Sequence, residues 1–232
     1  MRVLRTGLYL TVIGFIVLFL QGSEASAYTP LVTVDAGHGG KDTGAVSPAG
    51  VQEKEINLDI AFRVQQLLSA AGIRVIMIRS NDTFVGLEER SNIANQAGAD
   101  VFVSIHNNYS LLADGVANPT ASGTETYYFG GSTRGQLLAL LIQQEIAKKI
   151  GLTDRGIKTA NFAVLAYTKM PAVLVEGAFL SHSQDEQLLG DSNFRQNIAE
   201  GVFSGLIRYF EETSEFKVFY PLPQYFRVHV PS

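Results

Sequence analysis

Three apolar runs of sequence constrain the fold most strongly. Each run is followed by a side chain that can bind a metal ion or carry a proton. The runs lie at 31–34, 101–105 and 172–175, and the residues to which they lead are His38, His106 and Glu176. Short, β-branched apolar runs that end in glycine or polar residues are typical of buried strands. Because ligands bind beyond the carboxyl ends of strands in open α/β sheets, we expect these three side chains at one edge of a sheet.

A helix predicted over 53–71 supplies a fourth candidate. Its apolar residues recur at helical spacing and form one stripe. With about 100° of rotation per residue, Glu53 falls on that stripe, whereas Glu55 falls about 200° away and faces solvent. We therefore predict that Glu53, and not Glu55, points towards the two histidines.

The remaining pattern alternates strands with helices, which predicts a three-layer α/β/α domain with a mainly parallel, mixed sheet of about six strands. The other predicted helices lie at 87–97, 133–150 and 194–210. The other predicted strands lie at 74–78, 124–129 and 162–166. We interpret 107–122 as a functional loop, 153–158 as a turn, and 181–193 as a polar link with short helical pieces.

Composition excludes several classes of function. The 232 residues are enough for one domain with a proper core, and the net charge of −4 predicts no affinity for nucleic acid. The chain has no cysteine, so neither a disulfide nor a thiolate metal site can form. Any bound metal must be held by imidazole and carboxylate groups.

The first 27 residues differ in character from the rest. Basic residues precede an apolar run at 8–20, and Ala25-Ser26-Ala27 resembles a signal-peptidase site. We expect 1–27 to be a secretory signal or, alternatively, an uncleaved membrane anchor. We expect 28–212 to be the catalytic domain, working outside the cytoplasmic membrane. The tail at 213–232, which contains His229, has no clear period, and we assign it no role.

Two histidines and one carboxylate, with a fourth position left open to water, have the composition of a catalytic zinc site. We therefore predict that His38, Glu53 and His106 bind Zn²⁺. Zinc held in this way would polarise a carbonyl and acidify its bound water, and Glu176 could then move protons. The alternative is that the histidines are ordinary loop or cap residues and that Glu176 pairs with a lysine.

The sequence from about 32 to 210 resembles the zinc-dependent N-acetylmuramoyl-L-alanine amidases of type 3. The motifs that carry the resemblance are Val34-Asp-Ala-Gly-His-Gly-Gly-Lys-Asp-Thr-Gly44, Glu53-Lys-Glu-Ile-Asn-Leu58, Ile78-Arg79 with Asp82, 87–90, Ser104-Ile-His-Asn-Asn108, Arg155-Gly156 and 171–181. The resemblance implies zinc on His38, Glu53 and His106, with Glu176 as the catalytic carboxylate.

The resemblance also implies a substrate, namely the amide between the lactyl group of N-acetylmuramic acid and the L-alanine of the peptidoglycan stem peptide. The chain is most similar to single-domain members that act in spore cortex maturation and germination. Because we find no wall-binding repeat, we expect an accessory protein or the N-terminal segment to control location. A zinc peptidase acting on peptide cross-links and a non-catalytic wall-binding relative are the alternatives.

Two positions depart from the family pattern. After Glu176 the family usually has a glycine two residues on and an asparagine that closes the motif, where this chain has Ala178 and His182. Ala178 is expected to narrow a turn, and His182 raises the question of a further metal ligand. We expect three neighbouring polar residues to orient the ligands: Asp35, Asn107 and Asn108.

Overall fold

A computed structural model describes residues 28–213. The predicted signal or anchor at 1–27, and the tail from 214 onwards with His229, lie outside the described residues.

Six strands form one mixed sheet in the order β2-β1-β3-β6-β4-β5. The strands are β1 (Leu31–Ala36), β2 (Arg74–Met77), β3 (Val101–Asn108), β4 (Thr124–Tyr128), β5 (Asp154–Thr159) and β6 (Ala172–Phe179). The first four strands in this order are parallel, β4 is antiparallel to β6, and β5 is parallel to β4. The predicted fold class, a mainly parallel mixed α/β sheet, is therefore confirmed.

Helices cover both faces of the sheet. They are α1 (Glu53–Ala70), α2 (Leu87–Ala97), α3 (Thr133–Ile150), α4 (Ala163–Ala166), α5 (Ser183–Gly190) and α6 (Ser192–Glu212). The larger core lies between the sheet and α1, α3 and α6, and a smaller core packs α2 and α4 around Phe102. Between residues 28 and 213, no helix is both long enough and apolar enough to cross a membrane.

Two predicted elements near the sheet edge are wrong. The segment at 153–158 is not a turn but the edge strand β5, none of whose residues is fully buried, so it lacks the apolar period that marks a buried strand. The segment at 162–166 is not a strand but the single-turn helix α4. An apolar run as short as Ala163-Val-Leu-Ala166 is compatible with either structure, and only its packing on α2 decides between them.

Strands β3 and β6 are longer than their apolar runs predict. β3 continues to Asn108 and β6 to Phe179, so His106 and Glu176 lie within strands and not in the loops that follow them. The two residues are direct partners in the parallel β3–β6 register, just before an irregularity between His106 and Asn108. The backbone of the sheet therefore places the two side chains on adjacent strands.

Candidate metal centre

His38, Glu53 and His106 form one compact cluster, with one potential ligand atom from each residue and all three atoms within 4.8 Å of one another. The Glu53 carboxylate lies between the two imidazoles: Oε2 is 3.1 Å from His38 Nε2, and Oε1 is 3.0 Å from His106 Nδ1. Glu53 is almost fully buried, whereas Glu55 is exposed. The structure thus brings together the three residues that the sequence predicts as ligands.

The Glu53 carboxylate is held rigidly at the start of α1. Three donors hydrogen-bond to it: Asn57 Nδ2 at 3.0 Å, the Ala45 amide at 2.9 Å and the Asn107 amide at 3.2 Å. Burial alone would raise the pKa of Glu53, but the hydrogen bonds from His106 and His38 outweigh it and lower the pKa well below its usual range. Glu53 therefore presents a charged carboxylate to the cluster.

His38 lies in a strained loop that two other residues support. Its φ of 63° is in the left-handed region, which a non-glycine residue seldom adopts. Asp42 Oδ2 lies 2.9 Å from His38 Nδ1, and Arg90 Nη2 donates to the His38 carbonyl at 2.7 Å. Burial lowers the pKa of His38, but Glu53 and Asp42 together raise it above its ordinary value.

The contact of Asp42 with Nδ1 leaves the Nε2 atom of His38 facing Glu53. A carboxylate behind a histidine is the arrangement that commonly orients metal-binding imidazoles. Sequence reasoning did not assign this role to Asp42 or the supporting role to Arg90. The only available signal was the position of Asp42 four residues after His38 in the glycine-rich loop.

The imidazole of His106 packs directly against the backbone of Gly37. A Cβ atom at Gly37 would come within 2.3 Å of the ring, closer than van der Waals contact allows. Because φ at Gly37 is not in the left-handed region, this glycine is required by the close approach of His106 and not by the turn. The loop after β1 and the end of β3 therefore fit together only with glycine here.

Glu176 faces the same cavity, and its Oε2 atom is buried without a hydrogen-bond partner. Burial is the main cause that raises the pKa of Glu176 well above its usual range, and the nearby charges of Glu53 and Glu125 raise it further. A carboxyl oxygen that is buried without a partner beside a candidate metal centre is a marker of function.

The three polar residues predicted to orient the ligands have different roles. Only Asn107 contacts a member of the cluster, through its backbone amide. Asp35 is buried in an ion pair with Arg90 at 2.6 Å and supports the loop only indirectly. Asn108 donates to Glu125 at 2.9 Å. Asp35 and Asn108 line the same cavity as the ligands, but their side chains pair with Arg90 and Glu125 and not with the cluster, which their position in the motifs did not reveal.

His182 lies at the N-terminus of α5, where its side chain accepts a hydrogen bond from the Asp185 amide. It does not belong to the cluster of potential ligands found among residues 28–213. The cap role explains why histidine can replace the usual asparagine here. Ala178 lies fully buried within β6, so the expectation that it narrows a turn is wrong.

A cavity of about 570 Å³ opens over the cluster. Its lining combines the histidines and carboxylates of the site with apolar and aromatic residues, among them Phe84, Val85, Leu87, Tyr109 and Phe162. The donor set and the open cavity fit zinc, because catalytic zinc sites combine three nitrogen or oxygen ligands with one free position.

Comparison with known proteins agrees with this geometry. The model of the N-acetylmuramoyl-L-alanine amidase family matches residues 32–208, which includes the whole cluster and Glu176. The chain belongs to this family. The amidase LytC of Bacillus subtilis is 42% identical over 183 residues, an alignment that covers 77% of this chain and 35% of LytC. The chain therefore spans about a third of the length of LytC.

Solved amidase structures share the same fold. An N-acetylmuramoyl-L-alanine amidase from Clostridium difficile 630 superposes with a TM-score of 0.75 at 37% identity, covering 80% of this chain and 98% of that one. The CwlD amidase from Clostridioides difficile, solved in complex with the GerS lipoprotein, gives a TM-score of 0.73 at 27% identity, covering 79% and 99%.

Proposed function

We propose that the chain is a peptidoglycan hydrolase that cleaves the amide between the lactyl group of N-acetylmuramic acid and the L-alanine of the stem peptide. The observation that carries this proposal is the meeting of the three-residue cluster and Glu176 in one cavity of a chain from this amidase family. The cavity opens to solvent, which supports a polymeric substrate.

Zinc is the metal that we assign to this centre, with His38, Glu53 and His106 as the residues that would hold it. When bound, zinc supplies Lewis-acid activation of the amide carbonyl and of water. The residues around the ligands prepare the site for it. Asp42 fixes the orientation of His38, and Asn57 and the backbone amides of Ala45 and Asn107 fix the orientation of the Glu53 carboxylate.

We assign proton transfer to Glu176. Its carboxylate accepts the proton of the attacking water and then donates it to the amine nitrogen of L-alanine as the C–N bond breaks. The raised pKa of Glu176 suits both steps, because an ordinary carboxylate would be too weak a base near neutral pH. The pairing of Glu176 with His106 in the β3–β6 register, and the position of both residues in the cavity wall, support this assignment.

We further propose an extracytoplasmic location, in the cell wall or at the spore cortex, where the enzyme would act in cortex maturation or germination. The apolar segment at 8–20 supports secretion or anchoring. Residue 28 lies at the edge of the sheet opposite to the metal centre, because β1 runs from that edge towards His38. A tether before residue 28 would thus leave the site facing away from the membrane.

An accessory protein is part of the same proposal. The CwlD amidase, which is similar to this chain, was solved in complex with the GerS lipoprotein. We propose that this chain also acts with a protein partner that governs its location or its metal loading.

The test is digestion of purified peptidoglycan by the zinc-loaded protein, with mass spectrometry of the products. We expect free stem peptides that begin with L-alanine and intact glycan strands. Products cleaved within the peptide cross-links would instead identify a peptidase, and the absence of any product would identify a non-catalytic relative.

A Glu176→Gln variant separates catalysis from metal binding. We expect it to keep stoichiometric zinc but to lose roughly 10²-fold or more of its turnover, because glutamine cannot accept a proton. A near wild-type rate in this variant would remove Glu176 from the mechanism.

A further inference from the structure

The antiparallel direction of β4 brings a second group of charged residues to the edge of the sheet that carries the metal centre. β4 and β5 run opposite to β6, so their first residues lie beside the last residues of β6. Glu125 of β4 is the direct cross-strand partner of Glu176. Arg155 and Lys158 of β5 lie one strand further out, and neither has a role in the proposed function.

Glu125 is the centre of this group. Its carboxylate is almost fully buried and accepts from four side chains: Arg155 Nε at 2.6 Å, Lys158 Nζ, Tyr127 Oη at 2.5 Å and Asn108 Nδ2 at 2.9 Å. Burial alone would raise the pKa of Glu125, but these partners outweigh it and lower the pKa. A buried, ionised carboxylate therefore holds both cations in fixed positions.

The charges of this group do not balance. One carboxylate faces two cations, and among residues 28–213 neither cation forms an ion pair with any other acidic group. The side chains of Arg155 and Lys158 are 34% and 37% exposed, so the excess positive charge is accessible from solvent. Lys158 uses one of its three donors on Glu125 and has no other hydrogen bond within the described part of the chain.

The cations adjoin the cavity through aromatic rings. Lys158 Nζ lies 5.8 Å from the centre of the Tyr127 ring, and that ring packs edge-on against Phe162 at 5.3 Å. Phe162 lines the cavity over the metal centre. Tyr127 therefore links a residue of the cavity wall to Lys158, so a ligand that extends past Phe162 would come near the two cations.

We infer that Arg155 and Lys158, positioned by Glu125, form a subsite that binds a carboxylate of the substrate's stem peptide. This inference rests on the proposed function, and it makes the two cations specificity-determining residues, not catalytic ones. Neighbouring strands lie about 4.8 Å apart, so β5 lies roughly 10 Å from β6. Because an extended peptide spans about 3.3–3.6 Å per residue, the carboxylate belongs to the second or third residue of the stem.

The test uses two pairs of C-terminally amidated muramoyl tripeptides. The two peptides of the first pair differ only at the side branch of the second residue, which carries either a carboxylate or a carboxamide. The two peptides of the second pair differ in the same way at the third residue. We expect the zinc-loaded wild type to show a KM about five- to tenfold lower for the carboxylate form of one pair, a value between the effect of an exposed ion pair and that of a buried charge-assisted hydrogen bond. The peptides that hydrolysis would release are also titrated into the protein by calorimetry. Their Kd values compare the carboxylate and carboxamide forms without turnover.

Three variants make the test specific. Lys158→Gln leaves the Arg155–Glu125 pair in place and should lose the preference, whereas Lys158→Arg should retain it. Lys169→Gln is the matched control, because Lys169 is exposed before the start of β6, at the opposite edge of the sheet. Thermal unfolding of each variant reports any loss of fold.

Equal KM and Kd values for both members of both pairs in the wild type would overturn the inference. A preference that survives in Lys158→Gln would overturn it as well, because the carboxylate would then bind without Lys158, the cation that has donors left over after its bond to Glu125. If the wild type hydrolyses none of the four peptides, the proposed function itself fails, and the subsite with it.

Discussion

At the scale of single residues, Glu53 and Glu55 show how strongly surroundings separate two identical side chains. They lie two positions apart in the first turn of α1, yet Glu53 is buried between two imidazoles and Glu55 is exposed. Helical rotation of about 100° per residue accounts for the difference. Glu53 can therefore act as a metal ligand, whereas Glu55 can only interact with solvent or with its own helix.

We expect alanine at His38, Glu53 or His106 to lower zinc affinity by roughly 100-fold or more, because each change removes one of three ligands. Glu55→Ala is the control and should bind zinc like the wild type. The measurement is zinc stoichiometry after dialysis, by elemental analysis. Stoichiometric zinc in a His38→Ala, His106→Ala double variant would show that the metal binds elsewhere.

The pKa of Glu176 leads to a prediction about stability. Burial raises this pKa in the folded state above the unfolded value of about 4.3. At pH values above about 4.3, Glu176 therefore holds its proton more often in the folded state than in the unfolded state. The contribution of this carboxyl group lowers the free energy of unfolding as the pH rises.

We therefore expect Glu176→Gln to raise the free energy of unfolding of the metal-free protein by about 1–2 kcal/mol at pH 7, with the gain lost near pH 4. Urea unfolding in the presence of a chelator, at both pH values, measures it. Glu55→Gln, at an exposed position, should show no such gain. Equal stabilities of Glu176→Gln and wild type at pH 7 would contradict the raised pKa.

At the scale of elements, α3 and α6 approach each other unusually closely. A Cβ atom at Gly205 of α6 would lie 2.4 Å from the Ile142 Cα and 2.7 Å from its nitrogen, and Gly201 faces Ile146 in the same way. The obstacle is backbone, which cannot rotate away as a side chain can. Glycine in the middle of this helix is thus required by packing, although it weakens the helix itself.

We expect Gly205→Ala to lower the free energy of unfolding by roughly 1–3 kcal/mol, because overpacking outweighs the better helix propensity of alanine. Gly190→Ala is the matched control, since its Cβ would meet nothing within 4 Å. Urea unfolding at one pH compares the two. A Gly205→Ala protein as stable as the control would show that the helices can separate at little cost.

At the scale of the whole molecule, two connections between elements lie near the candidate metal centre and could control access to it. β4 is joined to α3 by the four residues 129–132, too few for a helical lid. The other nearby connection, at 109–123, folds back on itself through a bridge between Leu111 and Ala117. Its apolar tip residues Leu112 and Val116 are exposed, and Tyr109 is its contribution to the cavity wall.

We predict that this connection does not hold the site shut. Replacing residues 112–116 by Asn-Gly should change amidase activity by less than about tenfold, because the residues removed do not line the cavity. A rate assay on soluble muramoyl peptides tests this, with wild type as reference. An increase of tenfold or more, about 1.4 kcal/mol of relieved inhibition, would identify the loop as a lid.

Local chemistry made most of this architecture predictable from the sequence. The apolar runs before His38, His106 and Glu176 predict central strands, and the helical period predicts the direction of Glu53. These patterns are strong because both faces of the strands and one face of the helix are buried. The edge strand β5 and the short helix α4 were assigned wrongly, because neither buries enough apolar residues to show a period.

The sequence by itself determined the fold class, the family and the three residues of the candidate metal centre. Only the tertiary structure decided that Asp42 supports His38, that β4 reverses, and that Glu125 lies beside Glu176 with Arg155 and Lys158 around it. Strand order and direction depend on pairing between residues far apart in the chain. A single sequence carries no local signal for such pairing. The group formed by Glu125, Arg155 and Lys158 is therefore evident only in the folded sheet.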